Sequence, residues 1–76
     1  MIPNPPGGPP VRGVVIARLA ERHADRIVVG NATTVYLLGV ECPNVPVGTA
    51  LEVEYTIRNG RYEADQIRPA SREQVQ

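Results

Sequence analysis

From Leu51 to Arg58 the chain alternates apolar and polar side chains at every step, and Asn59-Gly60 separates this run from Arg61-Tyr62-Glu63-Ala64. A period of two is that of a half-buried strand. Asn-Gly is the favoured pair for a type I′ turn, because both positions require positive φ. The segment therefore predicts a β-hairpin with one dry and one wet face. A two-residue turn pairs Arg58 with Arg61, Ile57 with Tyr62 and Tyr55 with Ala64. Continued without a break, the same count sets Val53 against Gln66 and turns Ile67 to the wrong face. A bulge near Asp65 or Gln66 restores the register.

The remaining apolar runs predict three more strands. Gly13 to Leu19 is strongly apolar, with Arg12 and Arg18 near its ends, and Gly13 there serves either to relieve crowding or to allow a bend. Arg26 to Val29 is short and β-branched. Thr33 to Val40 is a third, apolar on both faces: Val35 and Leu37 lie on one, Tyr36, Leu38 and Val40 on the other. Glu21 to Asp25 and Gly30-Asn31 read as turns, and Glu41 to Gly48, with Pro43, Asn44, Pro46 and Gly48, as a loop. No stretch has capped helical spacing. The expected organisation is a disordered or polyproline-like arm over residues 1–10, a five-stranded all-β body over 11–69, and a flexible tail over 70–76.

Composition narrows the function classes. The 76 residues allow one domain with a modest core. Net charge is +0, which argues against a strong, non-specific polyanion binder. All eight basic residues are arginine, a residue whose planar fork pairs with phosphate and stacks on bases; a GC-rich genome produces the same bias. No apolar run reaches membrane-spanning length, and no secretory leader is visible. With one cysteine and no such leader, a reducing cytoplasm is the expected setting.

Catalytic chemistry finds no support in the pattern. A covalent mechanism needs a nucleophile, a base and an orienting group. Cys42 and His23 lie in separate loops, and Ser71 is in the tail. Cys42 reads as a small apolar filler, and His23 as a solvated turn residue without the partners a metal site requires. The glycines do not precede a helix in a phosphate-cradling pattern. No catalytic residue, metal or cofactor is expected.

Gly13-Val14-Val15 in the first strand, Val47-Gly48-Thr49-Ala50-Leu51-Glu52-Val53 entering the fourth, and Gly60-Arg61-Tyr62-Glu63-Ala64 leaving the last turn resemble small single-domain OB-fold proteins, of which the bacterial initiation-factor-one and cold-shock groups are examples. The resemblance covers about residues 11–69. It implies a small five-stranded OB-like barrel, with an SH3-like barrel as the alternative. The loop between the third and fourth strands is too short and proline-rich for the helix many such barrels carry, and the aromatic-rich RNA-binding motif of cold-shock proteins is absent.

Barrels of this kind bind single strands across their second and third strands, between the loops joining strands one to two and four to five. Carried onto this chain, that placement brings Arg22, Arg26, Arg58 and Arg61 to the two loops, with Arg18 and Tyr36 between, as candidate contacts to single-stranded DNA or RNA. An acidic hairpin face (Glu52, Glu54, Glu63, Asp65) and the two-faced third strand favour the competing reading. In it the chain is a protein-interaction or regulatory adaptor that pairs with another protein or with itself. No membrane contact is expected under either reading.

Overall fold

The computed structural model describes residues 9–70. The expected arm and tail fall outside the described residues, apart from Pro9, Pro10 and Ala70. Within them the chain forms β1 (Val11–Arg22), β2 (Arg26–Val29), β3 (Thr33–Tyr36), β4 (Ala50–Arg58) and β5 (Arg61–Pro69), with no helix.

The β4–β5 hairpin follows from its sequence. Asn59 has φ 52° and Gly60 φ 76°, so both turn residues are left-handed as a type I′ turn demands. Pairing runs Arg58–Arg61, Ile57–Tyr62 and Tyr55–Ala64, then shifts to Glu54–Gln66 and Val53–Ile67. Asp65 is the extra residue of the bulge, at the position the alternation required. The shift keeps Val53 and Ile67 together in the core. It also aims the Asp65 carboxylate at Thr56, whose hydroxyl donates to Oδ2 at 2.6 Å. Thr56 is only 2% exposed, and a buried hydroxyl without an acceptor is costly.

β1 is longer than its apolar run. It pairs with β4 over Val11 to Arg18 and with β2 over Leu19 to Arg22. A register shift between Leu19 and Glu21 marks where the strand passes from one neighbour to the other. That irregularity lies at Ala20. Gly13, opposite Tyr55, instead serves to relieve crowding: a Cβ there would stand 2.4 Å from the Tyr55 hydroxyl oxygen.

The turn between β2 and β3 spans residues 30–32. Gly30 has φ 58° and Ala32 φ 71°. A left-handed alanine costs roughly 1–2 kcal/mol, which glycine avoids at some cost in unfolded-chain entropy. Ala32→Gly is therefore expected to stabilise the chain by about 0.5–1 kcal/mol, read as a higher midpoint of thermal unfolding; an unchanged or lower midpoint contradicts the strain.

β3 stops at Tyr36, four residues short of the expected Val40. Leu37 then donates its amide to the Asp25 carbonyl, and Gly39 turns the chain at φ 81°. Leu37, Val40, Cys42 and Val45 pack against the core from this loop. The two-faced pattern is thus a strand followed by a capping loop; Val35 and the loop residues are covered by the chain itself, while Leu38 remains exposed.

β3 pairs in parallel with β5 through Val35–Tyr62 and Tyr36–Glu63. This closes the order β1-β2-β3-β5-β4 back onto β1 as a barrel without a free edge. Inside lie Leu19, Ile27, Val29, Val35, Leu51, Val53, Ala64 and Ile67. Among the described residues no helix is long and apolar enough to cross a membrane.

Candidate nucleic-acid interface

Directly paired residues in neighbouring strands share a face of the sheet. Arg26 pairs with Tyr36, Tyr36 with Glu63, and Glu63 with Thr56, so register alone builds a row across four strands. Val35 is 1% exposed and points into the core, which sets Tyr36 on the outer surface. The ring is half-buried there, and the Arg61 guanidinium carbon lies 5.4 Å from its centroid. An exposed cation–π contact of this kind is worth about 0.5–1 kcal/mol.

The other arginines divide into two sets. Arg26 pairs with Asp25 at 2.8 Å, and Arg58 Nε lies 3.3 Å from Glu63 Oε1. Both guanidinium groups border the Tyr36 row. Exposed pairs of this type contribute about 0–1 kcal/mol, so an incoming phosphate can compete for the same cations. Among the described residues Arg61 makes no ion pair. Arg18 and Arg22 are committed elsewhere. Arg18 Nη1 donates to the Gly48 carbonyl at 2.9 Å, and Arg22 Nη2 donates to the carbonyls of Pro43 and Val45. The Pro43 carbonyl also accepts the Val45 amide, so the arginine heads add to the loop's own hydrogen bonds in anchoring residues 37–49 to β1. The structure thus brings together Arg26, Tyr36, Arg58 and Arg61, and assigns Arg18 and Arg22 to holding the capping loop.

Glu63 is the member of this cluster that the sequence pattern did not single out. Alternation along the hairpin places it outward. Its position beside Tyr36 follows only from the parallel β3–β5 pairing between segments far apart in the chain. The remaining acidic residues of the hairpin are largely engaged. Arg68 donates to Glu54 at 2.8 Å and to Glu52 at 3.0 Å. Hydrogen bonds to Glu54 first and Glu52 second hold the Arg68 guanidinium above its ordinary pKa, so it keeps its charge at any working pH.

Tyr55 and Tyr62 belong to the inner side, where their rings meet edge to face with centroids 5.0 Å apart. With Val15, Ala17, Val29 and Val35 they line a cavity of about 320 Å³. Among the described residues no group of three His, Cys, Asp or Glu side chains is placed to hold a metal ion. His23 lies 2.9 Å from Glu21, and Cys42 is half-buried in the capping loop.

Comparison of the chain with protein-family models, with curated proteins and with solved structures finds no match.

Proposed function

We propose that this chain is a small OB-like barrel that binds single-stranded nucleic acid, weakly and in a salt-dependent manner, on the outer surface of β2 and β3. The observation that carries this reading is the position of Tyr36: an outward ring covered by the Arg61 guanidinium and bordered by Arg26 and Arg58. The strand order with a parallel β3–β5 pair supports the OB-like reading over the SH3-like one. A ring of this kind offers a base its flat face, and stacking contributes on the order of 1–3 kcal/mol per base. The guanidinium groups supply phosphate contacts. Near-zero net charge keeps the expected affinity low.

The test is a titration of a fluorescently labelled single-stranded oligonucleotide at rising salt. With two or three phosphate contacts, the slope of log K against log salt is expected near −1.4 to −2.1. Tyr36→Ala is expected to weaken binding by about fivefold or more, one stacked base being worth at least ~1 kcal/mol. No binding at low salt, or binding without a salt slope, rules the reading out.

A second reading has its own observation. Val14 and Ile16 are 58% and 42% exposed on the outer side of β1, beside Glu54 and Glu52. Adjacent exposed aliphatics on a strand mark a protein contact, with another chain or with a second copy. Sedimentation of the pure protein separates self-association from the monomer expected under the first reading.

A further inference from the structure

We infer that the site beside Tyr36 prefers guanine among the bases; this rests on the nucleic-acid reading and specifies its ligand. Tyr36 is the tyrosine in the row of outward arginines; Tyr55 and Tyr62 pack edge to face with each other on the other face of the sheet, Tyr62 remaining 36% exposed. This one ring with one guanidinium over it takes one base, held between Tyr36 and Arg61. The edge of that base turned toward β5 meets Glu63, the cross-strand neighbour of Tyr36. One carboxylate oxygen of Glu63 faces Arg58 Nε at 3.3 Å.

The pair presents an acceptor beside a donor. Guanine is the base whose Watson–Crick edge complements it, with two adjacent N–H donors (N1 and N2) for the carboxylate and the O6 acceptor for the guanidinium. Uracil and thymine place a carbonyl on each side of one N–H. Cytosine and adenine place a lone-pair nitrogen beside a single amino group, and that lone pair faces the carboxylate. Base edges in single strands are free to be read in this way, and a mismatched acceptor leaves the carboxylate desolvated without a donor. Arg26, at the other side of the ring, binds phosphate without regard to sequence, so discrimination falls to Glu63 and its partner Arg58.

The experiment uses thymidylate heptamers whose central base is thymine, guanine, adenine or cytosine, titrated by fluorescence anisotropy at low salt. The guanine heptamer is expected to bind about tenfold more tightly than the all-thymine one, within the 1–3 kcal/mol of a good bidentate base contact. Glu63→Gln, which retains an acceptor but presents an amide in place of one oxygen, is expected to collapse that ratio to less than about threefold. Arg58→Gln is expected to reduce it in part, and thermal unfolding of both variants verifies that they fold. Equal binding of all four heptamers, or an undiminished guanine ratio in folded Glu63→Gln, overturns the inference and leaves the nucleic-acid reading standing. Absence of binding by every heptamer removes both.

Discussion

Leu51→Ala is expected to cost about 3 kcal/mol and to bring this chain close to unfolding. Leu51 is 0% exposed at the start of β4, between Ala17 of β1 and Pro69 of β5. Its side chain is enclosed with Leu19, Val53 and Ile67, and nothing from solvent can refill the space it leaves. The loss combines the transfer free energy of the removed methyl groups with the cavity that remains. A domain of this size has total stability of only about 5 kcal/mol or so. With an m-value near 1 kcal/mol/M, the urea midpoint is expected to fall by about 2–3 M. Val28→Ala, on the half-buried outer side of β2, serves as the comparison and is expected to cost about 1 kcal/mol or less. Equal shifts for the two variants would contradict the assignment of Leu51 to the centre of the barrel.

Gly13→Ala is expected to destabilise by about 1–3 kcal/mol through a single collision. A Cβ at residue 13 would lie 2.4 Å from the Tyr55 hydroxyl oxygen and 2.6 Å from its ring carbon Cζ. Moving the Tyr55 ring away from residue 13 disturbs its edge contact with Tyr62 at 5.0 Å. Glycine normally weakens a strand, by about 0.5–1 kcal/mol relative to alanine. The sign of the substitution should therefore reverse once the ring is gone. In a Tyr55→Ala background, Gly13→Ala is expected to be neutral or stabilising, and the double-mutant cycle measures the coupling. An equal cost with and without the ring would show that Gly13 answers to backbone geometry and not to Tyr55.

Much of the fold was legible because its signals are local. The Asn59-Gly60 turn has one backbone solution, and the step from Val53 to Ile67 admits one register once both must be buried. The bulge could therefore be placed near Asp65 or Gln66 from alternation alone, and the pairing puts it at Asp65. β2 is bounded by turn residues and keeps its expected limits, Arg26 to Val29. β3 was misjudged at its end, because Leu37 and Val40 look identical whether they extend a strand or cap a barrel. β1 was judged too short at both ends. Its polar ends, Arg12 and Glu21-Arg22, are in the strand because two different neighbours pair with it, and composition carries no record of that.

The candidate site divides along the same line. Arginine placement near the two turns was visible in the chain, and three of the expected arginines, Arg26, Arg58 and Arg61, do lie around the Tyr36 row. Two did not join them: Arg18 and Arg22 turn to the carbonyls of the proline-rich loop, at Gly48, Pro43 and Val45. Glu63 entered the site through a pairing between strands separated by the whole of β4.

By itself the sequence determined the number and order of the strands, the type I′ turn and the neighbourhood of the bulge, because periodicity, turn chemistry and burial act over a few residues and leave little choice. The tertiary structure alone decided that β3 lies parallel to β5, that Tyr36 faces outward under Arg61, and which arginine heads turn to the capping loop. Those outcomes depend on barrel closure and on competition between the chain's own carboxylates and carbonyls for the arginines, and such long-range choices leave no pattern in neighbouring residues.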